Sequence, residues 1–106
     1  QTGKPDEAIE AFRNALHINP ELAQAHNNLG STLKRLGNNE DAISAYQQAA
    51  ELDPGYGDAS FNLGRLLHEL GRLNEAEVIL GNALQRNEKD YWMHHILGVV
   101  LLEQGK

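Results

Sequence analysis

The sequence predicts an all-α protein built as a stack of antiparallel helix pairs. Three observations carry that reading. Small residues return at a fixed step, apolar residues recur at spacings of three and four, and no stretch reads as a strand. The step comes first, because an internal period governs every later assignment. Glycines fall at Gly3, Gly37, Gly71 and Gly105, and a second set falls at Gly30, Gly64 and Gly98. Alanines fall at Ala8, Ala42 and Ala76 and again at Ala15, Ala49 and Ala83, and prolines at Pro20 and Pro54; every step is 34 residues.

Each unit reads as two helices. In the first, His26, Leu29, Leu33 and Leu36 share one face, and Gly37 is placed to end the helix in a left-handed cap. Glu40 and Asp41 then open a second helix, where acidic side chains suit the helix dipole. Its apolar positions are Ala42, Ile43, Tyr46, Ala49, Ala50 and Leu52. Pro54 forbids continuation and pushes the residue before it out of the α region. The next unit repeats the plan, with helices around residues 57–70 and 73–86. Residues 5–18 match a second helix and residues 91–104 a first helix. The frame therefore divides the chain into 1–22 (the second helix of a truncated unit), 23–56 and 57–90 (two full units) and 91–106 (the first helix of another). Such a ragged frame is expected of a segment from a longer array.

The recurring mid-helix glycines require a reason, since Gly in a helix costs about 1 kcal/mol relative to Ala. Close approach of two helices supplies one, because the interaxial distance depends on the side chains at the contact. Ala42 and Ala76 are expected opposite Gly30 and Gly64, with Phe12, Tyr46 and Leu80 filling the remaining space.

Composition narrows the functions. The chain has 106 residues, 41% hydrophobic and 23% charged, with no cysteine. Disulfides, thiol catalysis and cysteine-based zinc sites are excluded. No apolar run reaches the roughly 18–20 residues that span a bilayer, so no membrane partner is expected, and no signal peptide is visible. The net charge of −6 is interspersed along the chain and argues against nucleic acid, which selects a basic face. No Ser-His-Asp order, H-E-x-x-H or P-loop occurs, so neither a catalytic residue nor a cofactor is expected. His94 and His95 are adjacent, point about 100° apart on a helix and are poorly placed to share a metal; packing for His94 and groove exposure for His95 are the expectation.

A 34-residue helix-turn-helix with Leu-Gly in its first helix and Ala, an aromatic, Ala and Pro in its second resembles the tetratricopeptide repeat. Residues 23–56 match at Leu29, Gly30, Ala42, Tyr46, Ala49 and Pro54. Residues 57–90 match at Leu63, Gly64, Ala76 and Ala83, and depart at Leu80, where an aromatic is usual, and at Glu88, where Pro is usual. His26, Ser60 and His94 stand where the family often has Trp. The resemblance covers the whole chain. It implies an α-solenoid, a right-handed superhelical segment of about six helices, whose first helices line a concave groove that binds a protein or peptide.

With Leu29 centred on the buried face, Gln24, Asn27, Asn28, Ser31, Lys34 and Arg35 fall on the opposite side. One unit later the set is Asp58, Phe61, Asn62, Arg65, His68 and Glu69, and then Trp92, His95, Ile96, Val99, Leu102 and Glu103. By resemblance these residues line the groove. Asn28 and Asn62 are of particular interest, because an amide pairs with both the N–H and the C=O of an extended peptide. Helices about 8–10 Å apart would then meet such a peptide at about every third residue. The superhelical repeats of O-GlcNAc transferases look similar in having such a ladder. The other reading of Asn28 and Asn62 is hydrogen bonding within the scaffold or to water. The clamp that some family members use for a C-terminal carboxylate needs basic residues near Asn27 or Trp92, and neither is basic. The expected function is a non-catalytic interaction scaffold. Asn28 and Asn62 would hold main chain, and Phe61, Arg65, Trp92 and His95 would select side chains. The alternative is a spacer or substrate-presenting arm of a larger enzyme such as a glycosyltransferase. The last helix, "YWMHHILGVVLLEQ", is apolar nearly all round, and homo-oligomerisation through residues 91–104 is expected from it.

Overall fold

The computed structural model describes residues 3–87 and 89–106. Six helices follow one another: α1 (Gly3–Ile18), α2 (Ala23–Arg35), α3 (Asn39–Leu52), α4 (Gly57–Glu69), α5 (Leu73–Arg86) and α6 (Tyr91–Glu103). Among the described residues there is no strand. Each helix packs antiparallel on the next, most extensively α2 on α3. In addition α2 touches α4, and α4 touches α6, so the first helices of successive units form one layer of their own. The molecule measures 42 × 27 × 18 Å, the elongated shape of a stack in which each unit meets only its neighbours.

The helix ends follow from sequence. Gly37, Gly71 and Gly105 have φ of 84°, 77° and 81°, the left-handed region that side chains resist. After α2, the Gly37 N–H donates to the Lys34 carbonyl and the Asn38 N–H to the Leu33 carbonyl, the paired bonds of a Schellman motif. Gly71 and Arg72 repeat the arrangement after α4, and Gly105 and Lys106 after α6. At the other end of the unit, α3 stops at Leu52, and Asp53 is extended at φ −140° ahead of Pro54.

The core is one cluster running through the stack. Leu29, Leu33, Ala42, Ile43 and Tyr46 form its first part, Leu63, Leu66, Leu67, Ala76 and Leu80 its middle, and Met93 and Val100 its last. The mid-helix glycines do what their spacing predicted at two of three places. A Cβ on Gly30 would lie 2.8 Å from the Tyr46 ring, and one on Gly64 would lie 2.5 Å from Leu80 Cδ2. At Gly98 a Cβ would meet nothing within 4 Å. The partner that fills this niche in the other units is the large residue 16 positions later, and no such helix follows Gly98 in the described chain.

Candidate functional site

Successive first helices are joined by side chains one position out of register. Asn62 Nδ2 donates to Asn27 Oδ1 at 3.1 Å, and Asn27 Nδ2 donates to the Tyr56 hydroxyl at 3.2 Å. Nearer the other ends of the same helices, Lys34 pairs with Glu69 at 3.2 Å, and His68 Nε2 lies 3.0 Å from Glu103 Oε2. Asn62 and Glu103 stand 35 residues beyond their partners, one more than the repeat. The layer formed by α2, α4 and α6 is thus stitched across its face.

That sorting divides the predicted site residues. Asn27, expected in the groove, is only 7% exposed, and both ends of its amide are used within the scaffold. Its burial corrects the expectation, because the offset of one position turns it towards α4 rather than outward. Asn62 is half-buried, and its Nδ2 is committed to Asn27. Asn28 is exposed, and its side chain hydrogen-bonds to none of the described residues. The two asparagines that recur in sequence are therefore not equivalent rungs. One unit later the positions of Asn27 and Asn62 are taken by Phe61 and Ile96, both packed against the core, so an apolar pair replaces the polar one.

Asn28, Ser31, Arg35 and Arg65 are brought together around an open pocket of about 380 Å³, with Phe12, Thr32, Lys34 and Tyr46 completing its wall. Tyr46 belongs to α3, yet its ring passes beneath Gly30 and its hydroxyl lies 3.0 Å from Ser31 Oγ. Burial raises the Tyr46 hydroxyl above its usual pKa, while the Ser31 hydrogen bond and the charges of Arg65 and Arg35 pull it back. Phe61 supports Arg65, whose guanidinium carbon sits 5.3 Å from the ring centroid, within cation–π range. The Arg65 Nε is sealed from solvent and has no hydrogen-bond partner among the described residues. Neither Arg35 nor Arg65 has an ion pair among the described residues.

The remaining predicted residues lie elsewhere on the layer. Gln24 and Asp58 share a second pocket with Ala23, Asp53 and Tyr56, at the acidic edge formed by the helix N-termini. His68 is spent on Glu103. Trp92 and His95 are both exposed and form a ring cluster with Tyr91: the Tyr91–Trp92 centroids are 5.0 Å apart and edge-on, and Tyr91–His95 are 6.1 Å apart and stacked. His94 is exposed rather than packed, unlike half-buried His26, whose Nε2 is 3.0 Å from the Pro20 carbonyl oxygen. Among the described residues no group of three or more His, Asp or Glu is placed to hold a metal ion, and no helix is long and apolar enough to cross a membrane. Thr32 and Phe12 are pocket residues that the groove prediction did not include, whereas Lys34 was in its set; Phe12 is displayed only because α1 packs beside α2.

A two-layer stack with an inner face of first helices defines the class: a repeat scaffold of helical hairpins. The family follows from sequence. A tetratricopeptide repeat model matches residues 28–91 and a second model, described as TPR repeat, matches residues 1–37; the chain belongs to the tetratricopeptide repeat family. Domains of this family mediate protein–protein interactions. No curated protein matches the chain. Among solved structures it is similar to the first TPR of Spaghetti (RPAP3) bound to the HSP90 peptide SRMEEVD, at TM-score 0.86 and 23% identity, covering 99% of this chain and 83% of that one. Two crystal structures of MamA are also similar, at TM-scores 0.85 and 0.86 with 26% and 24% identity. They cover 98% of this chain, which spans 61% and 57% of theirs.

Proposed function

We propose that the chain is a non-catalytic scaffold that binds an extended protein segment along the face formed by α2, α4 and α6. The observation that supports this reading is the division of polar groups on that face. Asn27, Asn62, Lys34, Glu69, His68 and Glu103 are tied to one another, whereas Asn28, Arg35 and Arg65 stand open around one pocket. Asn28 holds ligand main chain through its amide, and Trp92 and His95 contact ligand side chains. The RPAP3 relative holds a peptide on the same fold, which makes its peptide a natural first probe. Trp92 is the only tryptophan and is 62% exposed, so its emission reports on the face directly. Titration with SRMEEVD and with capped heptapeptides of varied composition is expected to shift and quench that emission. If every peptide leaves both Trp92 emission and the amide spectrum unchanged at millimolar concentration, the reading is wrong.

A second reading, self-association, has its own observation. Gly98 is an unfilled niche, and Phe12 stands at the repeat position of Tyr46 and Leu80, the residues that fill the other two. The occupant we infer is α1 of a second copy, laid on α6 as α3 lies on α2. On the same helix Tyr91, Trp92 and Leu102 are 62–75% exposed. Head-to-tail stacking of this kind is heterologous and does not close on itself. Gly98→Leu fills the niche with a side chain whose Cβ meets nothing within 4 Å, and Phe12→Asp blocks the knob. In sedimentation each variant alone should be monomeric, and their mixture should give a dimer that stops there. A monomeric parent at millimolar concentration, or a mixture that stays monomeric, overturns head-to-tail stacking.

A further inference from the structure

We infer that the pocket between α1, α2, α3 and α4 is an anion subsite that takes a carboxylate side chain, Asp or Glu, from within the bound segment. This deepens the proposed function and rests on it. The chain as a whole is acidic, at −6, so a cluster of three cations around one cavity runs against its balance. Of the three, Lys34 already has Glu69 as partner at 3.2 Å. Arg35 and Arg65 have none among the described residues.

Arg65 is the informative one. Phe61 supports the guanidinium from one side, and Nε is out of reach of water without an acceptor. The terminal nitrogens of the same guanidinium are not sealed and bond to none of the described residues, so a ligand oxygen arriving in the pocket that Arg65 lines meets unpaired donors. A carboxylate suits that position. It brings two acceptor oxygens in one plane, and a guanidinium presents its N–H groups as a planar fork. Arg35 lines the same pocket as a second cation, and the Ser31 and Tyr46 hydroxyls, 3.0 Å apart, line it as neutral polar groups. The pocket of about 380 Å³ is open and large enough for the side chain without displacing core residues. Asn28 lines the same pocket and is placed for the peptide groups next to that residue. The carboxylate comes from a side chain rather than a chain end, since the subsite lies partway along the layer and the face continues past it to Trp92. At physiological salt the Debye length is about 8 Å, so the acidic remainder of the molecule is largely screened at the pocket while the arginines are not.

Two capped peptides test this without any terminal carboxylate: acetyl-AEAEAEA-amide and its glutamine counterpart acetyl-AQAQAQA-amide. Each is titrated into the isotope-labelled full chain and followed through backbone amide shifts. The glutamate peptide should bind at least about tenfold more tightly, with the largest shifts at Asn28, Ser31 and Arg65. Arg65→Gln should abolish the difference and Arg35→Gln should reduce it, with melting temperatures near the parent's. Lys89→Gln, an exposed lysine outside the pocket, should leave it intact. If both peptides bind equally, the groove stands and the anion subsite falls. If neither binds, the subsite falls, and the groove reading is decided by the wider peptide titration.

Discussion

Gly30, Gly64 and Gly98 occupy the same place in three units but not the same surroundings, and substitution should separate them by sign. Gly64→Ala pushes a methyl against Leu80, whose Cγ is 2.6 Å from the added Cβ and which is fully buried. Overpacking of this kind costs about 1–3 kcal/mol, more than the roughly 1 kcal/mol that Ala gains in helix propensity. Gly98→Ala meets nothing and keeps the gain, so it should stabilise by about 1 kcal/mol. Urea midpoints of the two variants should move in opposite directions; movement in the same direction would remove close packing as the reason for these glycines. The asparagines separate in the same way. Asn62→Ala strips a donor from Asn27, leaving a buried carbonyl unsatisfied at a cost of about 1–3 kcal/mol. Asn28→Ala should leave the melting temperature in place and weaken peptide binding. Calorimetry on both variants checks this, and the expectation fails if Asn28→Ala melts early or Asn62→Ala does not.

At the scale of the element, the helix ends are local events with local tests. Gly71 sits at φ 77°, where a side chain costs about 1–2 kcal/mol. Gly71→Ala should lower the unfolding free energy by that amount. It should also speed hydrogen exchange at the Arg72 N–H, which Gly71 aims at the Leu67 carbonyl. Unchanged exchange at that amide would mean the cap is not what holds the end of α4. These ends were legible in the sequence, because a glycine in phase with its neighbours one unit away has few other uses. The exposure of α6 was legible too. Its all-round apolar character foretold exposure, and Tyr91, Trp92 and Leu102 are indeed exposed. The open side of Gly98 followed from the frame, which reads residues 91–106 as a first helix without its second.

Across the whole molecule, stability rests on units tied to their neighbours. Arg72 bridges two units, bonding Glu75 at 2.7 Å and Glu40 at 2.8 Å, and Lys106 reaches Glu77 at 2.8 Å. The hydrogen bond from Arg72 holds the Glu75 carboxyl below its usual range, and those from Lys106 and Gln104 do the same for Glu77. A carboxyl depressed in the folded state contributes stability that is present above its unfolded value, near 4.5, and is lost as the pH falls through the lower folded value. The melting temperature should therefore hold between neutral pH and about 5.5 and decline below about 4.5. The double variant Glu75→Gln, Glu77→Gln should decline less steeply. A slope identical to the parent's would show that these two exposed pairs contribute nothing.

The sequence alone determined the repeat, the six helices, their ends and the face each one buries. All of these are set by local geometry: a period of 34, apolar spacing of three and four, and glycines that tolerate positive φ. It also determined that α2 and α4 carry a polar face. What only the tertiary structure decided is which of those polar residues remain open. Neighbouring first helices meet one position out of register, so Asn27 turns inward to Asn62, Lys34 to Glu69 and His68 to Glu103. Arg65, in the same layer, is left with Phe61 beneath it and an open pocket before it. A helical wheel has no term for that offset, because it arises from how two helices pack and not from where residues sit on one of them.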